Sequence, residues 1–454
     1  MRKRGVPQPF RIEEINFRSC FSAPSLRHFT VLMTGWVLTV GKHTISNVIA
    51  VMQLHEIESF VTIYRFFSRA IWNPDHVAER IFQMIVCVLL PEGSEVVAVL
   101  DDTLNKHRGK KICGAGWQHD GSAPKHSRQI AYGLCFVVIG LAVRLPGISD
   151  RVFCLPFAAR LWWPQSTKVP PKRQVRKSKP QLAAALIGLT RSWLDTGRKL
   201  RVVADISYTC EAVIRDRPDG VHFTGRVRKD SALFEPPVLP IERSRGRPRT
   251  KGKRLPTPEE MFKDGTLPWR DVRVTTYGKE TVLHVYHLLA VWYHVLGPQI
   301  VAFVLVHDPL GIRPDAVFLD TDPCASPEQI VARYSERWSI EITYRETKQL
   351  LGSAEPQCRS ELAVERAGMM AYWAYTLVTL WFVRQFQSAK RLVTPRHPWY
   401  KRKSSITFSD MLAAARRSHF TLRFSREAGN TGSLSINPGA RSTRHQLTTK
   451  RAKL

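Results

Sequence analysis

Three stretches of the chain carry an acid where chemistry can use it. Glu95–Asp102, EVVAVLDD, reads as a buried strand finishing on Asp101 and Asp102, and Leu200–Asp205, LRVVAD, as a second apolar strand finishing on Asp205. The third acid, Glu341, lies on Ser326–Gly352, which reads as one long helix. Ser326 and Gln329 have capping-box spacing, Pro327 takes the first helical position and Gly352 supplies the stop. Acids at the carboxyl ends of strands sit where α/β sheets present their reactive groups. If the two strands are neighbours and the helix crosses their ends, three carboxylates converge. Like charges raise one another's pKa, so such a cluster calls for cations. A pair of Mg2+ ions on carboxylate oxygens would meet that need and activate water for in-line attack on a phosphodiester. Strand alternation sends only one of Asp101 and Asp102 inward.

On the long helix, Tyr334, Arg337, Glu341 and Lys348 follow one another at intervals of three, four and seven. At about 100° per residue they fall within an arc of roughly 60°. Alone, that stripe describes a surface helix held by ion pairs. With two strand-end acids upstream, Glu341 becomes the third metal ligand, and Arg337 and Lys348 become holders of flanking phosphates. His119 and Asp120 are read as part of a polar loop near the site.

The elements that must position these groups lie in a chain of 454 residues, 44% hydrophobic, long enough for a large core and several domains. Its 68 Lys and Arg against 38 Asp and Glu give a net charge of +30, which implies a polyanionic partner. The longest uncharged apolar run, Ala367–Val383, is short for a bilayer and reads as a buried helix, so no membrane span is expected. The eight cysteines show neither a CxxC pair nor zinc-finger spacing, as suits reduced thiols in the cytosol.

Residues 1–90 read as a helical N-terminal domain behind a basic leader, with helices over Leu26–Val40, His55–Phe67 and from Pro74 onward. Phe66, Phe67 and Trp72, with Arg65 and Arg69, suit either a grip on duplex ends or ordinary core packing. Residues 91–215 have a β-β-β-α-β order, the helix being Gln181–Leu194. Residues 216–323 read as a mainly β insertion of short strands, Val221–Val227, Asp271–Thr276, Thr281–Trp292 and Ile300–His307. Within it Arg243–Arg254, RSRGRPRTKGKR, carries seven basic residues and no acid, an exposed loop whose Arg245-Gly-Arg247-Pro core suits either a narrow minor groove or plain solvation. Residues 324–386 hold the long helix and a strongly apolar one, Glu361–Phe386. Residues 387–454 form a basic, partly flexible C-terminal region.

The stretches DDTLNKHRGKKICGAGWQHD, VVADISYT and YSERWSIEITYRETKQLLG together resemble bacterial insertion-sequence transposases of the DDE superfamily. The third satisfies Tyr-x-x-Arg-x-x-x-Glu-x-x-x-x-x-x-Lys, the signature of the YREK subgroup. The resemblance implies an RNase H-like α/β catalytic core, a mixed sheet flanked by helices and interrupted by the insertion. It implies that Asp102, Asp205 and Glu341 bind two Mg2+ ions, for which Mn2+ can substitute. Asp102 is preferred because Thr103 follows it, with Asp101 the alternative first acid. Tyr334, Arg337 and Lys348 become contacts to the phosphate backbone near the cleaved end. The implied partners are double-stranded transposon ends and target DNA, bound by a dimer in the bacterial cytoplasm at the nucleoid. Some members stack a flipped base on an insertion-domain tryptophan, for which Trp269 and Trp292 are candidates. The competing readings are an inactive DNA-binding descendant and a nuclease without strand transfer.

Overall fold

The computed structural model describes residues 10–56, 58–124, 126–172, 175–237, 249–276, 279–389 and 405–430. The basic leader, Arg245 and Arg247 lie outside them. A 3-10 turn, Glu14–Cys20, precedes α1 (Ala23–Leu38), α2 (Ile45–Val51), α3 (Phe60–Ser68) and α4 (Pro74–Leu89). Pro74 opens α4, and the Asn73 side chain accepts the Asp75 N–H. Phe66 and Phe67 are buried, and Phe66 stacks on Trp72 with ring centroids 5.0 Å apart. These aromatics are therefore core, which removes them as a grip on duplex ends.

The chain then enters β1 (Val96–Lys106), β2 (Gly116–His119), β3 (Ile130–Leu145) and β4 (Ser149–Trp162), followed by α5 (Lys179–Ser192), β5 (Leu200–Ala204), α6 (Glu211–Ile214) and β6 (Val221–Val227). β1 pairs antiparallel with β3 and parallel with β5, and β5 pairs parallel with β6. With β4 on the far side of β3, the order β4-β3-β1-β5-β6 is that of an RNase H-like core. All five residues of β5 are buried, as a strand covered on both faces requires. β6, grouped with the insertion on sequence grounds, is thus bonded directly to a core strand.

The insertion contains α7 (Pro258–Lys263), β7 (Arg270–Thr276), β8 (Lys279–Val291), α8 (Tyr293–Leu296), β9 (Ile300–His307) and β10 (Ala316–Asp320). It is not a separate sheet. β10 pairs antiparallel with β6, and the ladder runs on through β9 and β8 to β7, so ten strands form one mixed sheet.

The seam between core and insertion holds a buried charge network. Arg201, 1% exposed, donates to both Asp320 oxygens at 2.7 Å and to Glu95 at 3.0 Å. Arg333 reaches Asp320 at 3.3 Å, and the Thr224 hydroxyl donates to the same carboxylate at 2.7 Å. A buried ion is tolerated only with such saturation.

After the sheet come α9 (Pro327–Glu336), α10 (Trp338–Leu350), α11 (Glu361–Ala389) and α12 (Phe408–Asn430). α12 lies inside the stretch read as a partly flexible tail. Phe408 stacks on Tyr375 at 4.0 Å, and Arg416 donates to the carbonyls of Val37 and Thr39, tying α12 to α11 and α1. All eight cysteines are free thiols, and no described helix is long and apolar enough to cross a membrane.

Candidate active site

β1 does not end on its acids. Its pairing with β3 continues through Asp101 and Asp102 to Lys106, whereas its parallel pairing with β5 stops at Leu100 opposite Ala204. One further step of that register sets Asp101 beside Asp205, where the strands part. Partners in register point to the same face, so Asp101 and Asp205 share a side of the sheet and Asp102 takes the other.

The helix over these strand ends is not continuous. Ser326 and Gln329 close the expected capping box on α9, but the helix tightens at Arg337 before α10 begins. Arg337 N–H donates to the Tyr334 carbonyl at 3.1 Å and Ile340 N–H to the Arg337 carbonyl at 3.1 Å, both three-residue steps. The residue at this join carries the central side chain of the site. One terminal nitrogen of Arg337 donates to Asp101 at 3.1 Å, the other to Glu341 at 2.7 Å. Tyr334 packs on Phe318 at 4.4 Å and donates its hydroxyl to Asp205 at 3.3 Å. Burial pushes the Tyr334 phenol up to about 12, which keeps it a donor.

Burial likewise pushes the Asp101 carboxyl up to about 7, against the pull of Arg337 and with added repulsion from Asp102 and Asp205. A single guanidinium shared with Glu341 does not neutralise several neighbouring acids. Asp101, Asp205 and Glu341 offer only carboxylate oxygens, the donor type a hard divalent ion prefers. Among the described residues, no group of three His, Cys, Asp or Glu lies close enough together to hold a metal ion.

Asp102 does not join this cluster. Its carboxylate accepts the Tyr208 hydroxyl at 2.6 Å, the Lys179 ammonium at 2.7 Å and the Cys135 thiol at 3.3 Å. The preference for Asp102 rested on the hydroxyl residue after it, whereas the alternation of β1 puts Asp101, the alternative, on the side of Asp205. Lys179 and Tyr208 escaped the sequence reading, although Tyr208 stands three residues after Asp205 in VVADISYT.

The Lys348 ammonium donates to the Leu104 carbonyl at 2.9 Å, and burial lowers its pKa. Tyr344 donates to the Asp101 carbonyl at 3.0 Å and so fixes α10 to β1. Asp120 pairs instead with Lys106, and His119 sits on edge strand β2. Trp269 stacks on Phe262 and Trp292 meets Phe303 edge-on, both packed against the core. In the basic loop, Lys251 lies over the rings of Phe234 and Tyr293, at 4.0 and 4.6 Å.

Compared with known families, residues 16–281, more than half of the chain, match the family described as DDE superfamily endonuclease. No curated protein matches the chain.

Proposed function

The chain belongs to the DDE superfamily endonuclease family, and we propose that within it the protein is a transposase of the YREK subgroup. On this reading it binds the terminal inverted repeats of an insertion sequence, cuts at their ends and joins the released 3′-hydroxyl to target DNA. The observation that carries the reading is the bridging of Asp101 and Glu341 by Arg337, with Asp205 held by Tyr334 where the parallel pairing of β1 and β5 ends.

Asp101, rather than Asp102, is the first acid of the triad. Asp101, Asp205 and Glu341 would hold two Mg2+ ions, or Mn2+ in their place, in exchange for the guanidinium charge. Bound there, the ions supply an activated water and neutralise charge on the phosphodiester. Tyr334, Arg337 and Lys348 contact backbone phosphates beside the cut, and Arg245 and Arg247 enter a minor groove. Residues 1–90 bind repeat DNA, and the protein acts as a dimer on the bacterial nucleoid. The net charge of +30 supports a polyanionic substrate.

The test uses the DNA that flanks the gene. Asp101→Asn, Asp205→Asn and Glu341→Gln should each keep gel-shift affinity for flanking inverted repeats and lose Mg2+-dependent cleavage. Cleavage retained in any of the three would remove that residue from the triad. Cleavage by the wild type without joined product would leave an endonuclease that does not transfer strands.

A further inference from the structure

We propose that Asp102 is a positioning residue that fixes Asp205 through Tyr208. The inference rests on the active-site reading above and deepens it. Asp205 opens a short 3-10 turn, Ile206–Tyr208, and its own carbonyl accepts the Tyr208 N–H at 3.0 Å and the Thr209 hydroxyl at 3.1 Å. The backbone that places the Asp205 carboxylate is therefore held from Tyr208 and Thr209. Tyr208 is in turn 1% exposed, and its hydroxyl donates to Asp102 at 2.6 Å.

The other Asp102 oxygen is engaged as well. It takes the Lys179 ammonium at 2.7 Å and the Cys135 thiol at 3.3 Å, while Lys179 sits over the Trp162 ring at 4.8 Å. Asp102 thus joins β1, the first turn of α5 and the turn after β5 at one carboxylate. Burial and the adjacent Asp102 charge raise the Tyr208 pKa far above the usual phenol range, so the hydroxyl stays a donor. Two consecutive acids on β1 then divide the work. Asp101 faces Arg337 and the reacting side, and Asp102 anchors from the other side the turn that delivers Asp205.

This arrangement couples Tyr208 to Asp102, so the losses from removing the two should not add. The experiment follows nicking of a supercoiled plasmid carrying the DNA that flanks the gene, in Mg2+, by the full-length protein. Tyr208→Phe and Asp102→Ala should each slow nicking by about 10 to 100-fold, the range for residues that orient metal ligands, with KM for the plasmid unchanged. The double variant should fall no further than the worse single one. Asp102→Asn keeps an oxygen for the phenol and should exceed Asp102→Ala. Tyr208→Phe removes one hydroxyl and keeps the ring, so its folding, checked by thermal melting, is the safest control. Nicking by Tyr208→Phe within two-fold of wild type, or multiplying losses in the double variant, would overturn the proposal. If the wild type nicks no DNA, the endonuclease reading fails instead. Mn2+ binding to the DNA-free protein, read by electron paramagnetic resonance, then decides the positioning role: weakening in both single variants that goes no further in the double supports it, and wild-type binding by Tyr208→Phe or additive weakening in the double sinks it.

Discussion

The guanidinium of Arg337 lies 3.1 Å from the Asp101 carboxylate, at the join between α9 and α10. It also holds Glu341, so it is the cation that keeps two acids of the site together. Removing one partner of a mostly buried pair strands the other, at a cost of roughly 2 to 4 kcal/mol here, reduced by the partial exposure of Glu341. Arg337→Ala should lose about that much stability in EDTA and recover part of it with millimolar Mn2+, as read by urea unfolding. Equal stability of variant and wild type in EDTA would deny Arg337 its counter-ion role.

Asp101 makes stability depend on pH. Its folded-state value, pushed up to about 7, lies above that of an unfolded aspartate near 4, so folding takes up a proton between the two. The sign follows directly: the contribution is fully present below about pH 4 and is lost as pH rises through about 7. Metal-free Asp101→Asn should therefore show a flatter stability profile than wild type over that window. Parallel profiles from urea melts at stepped pH would count against a buried, raised Asp101.

Lys348 offers a separate handle on DNA. Its ammonium donates to the Leu104 carbonyl, and no ion pair to it is found among the described residues. If it meets one phosphate, Lys348→Ala should weaken binding to the flanking repeats and make the plot of log affinity against log salt shallower by about one unit. A slope unchanged within error would confine Lys348 to anchoring α10 on β1.

The seam network should be intolerant of half-removal. Asp320→Ala leaves Arg201 buried with only the more exposed Glu95 and Asp322, and should destabilise by roughly 3 to 5 kcal/mol. Arg201→Met in the same chain should recover part of that loss, because the stranded charge is gone. Additive losses in a urea-melt double-mutant cycle would show that the two residues are not coupled.

The sequence announces what is local and withholds what is long-range. Ser326, Gln329 and Pro327 declare the start of α9 because a capping box is a contact within four residues. The apolar run of Leu200–Ala204 declares a buried strand for the same reason. Which of two adjacent acids faces the site depends on the register of β1 against β5, a pairing across more than a hundred residues that no local pattern encodes. The tightening at Arg337 also escaped notice, because it breaks no rule of composition and replaces only a few four-residue bonds by three-residue ones. β6 resembled its insertion neighbours in sequence, and its parallel partner alone places it beside the core. α12 lay hidden in a basic region, where Phe408, Met411, Leu412 and Ala415 supply a narrow apolar stripe.

The unbroken ladder from β5 to β7 fixes the spacing between the Asp205 turn and the outer edge of the insertion. Strands lie about 4.8 Å apart, so the five steps from β5 through β6, β10, β9 and β8 to edge strand β7 span about 24 Å. On a duplex rising 3.4 Å per base pair, that is about seven base pairs. The spacing between the turn that carries Asp205 and the far edge of the insertion is thereby written into the sheet itself.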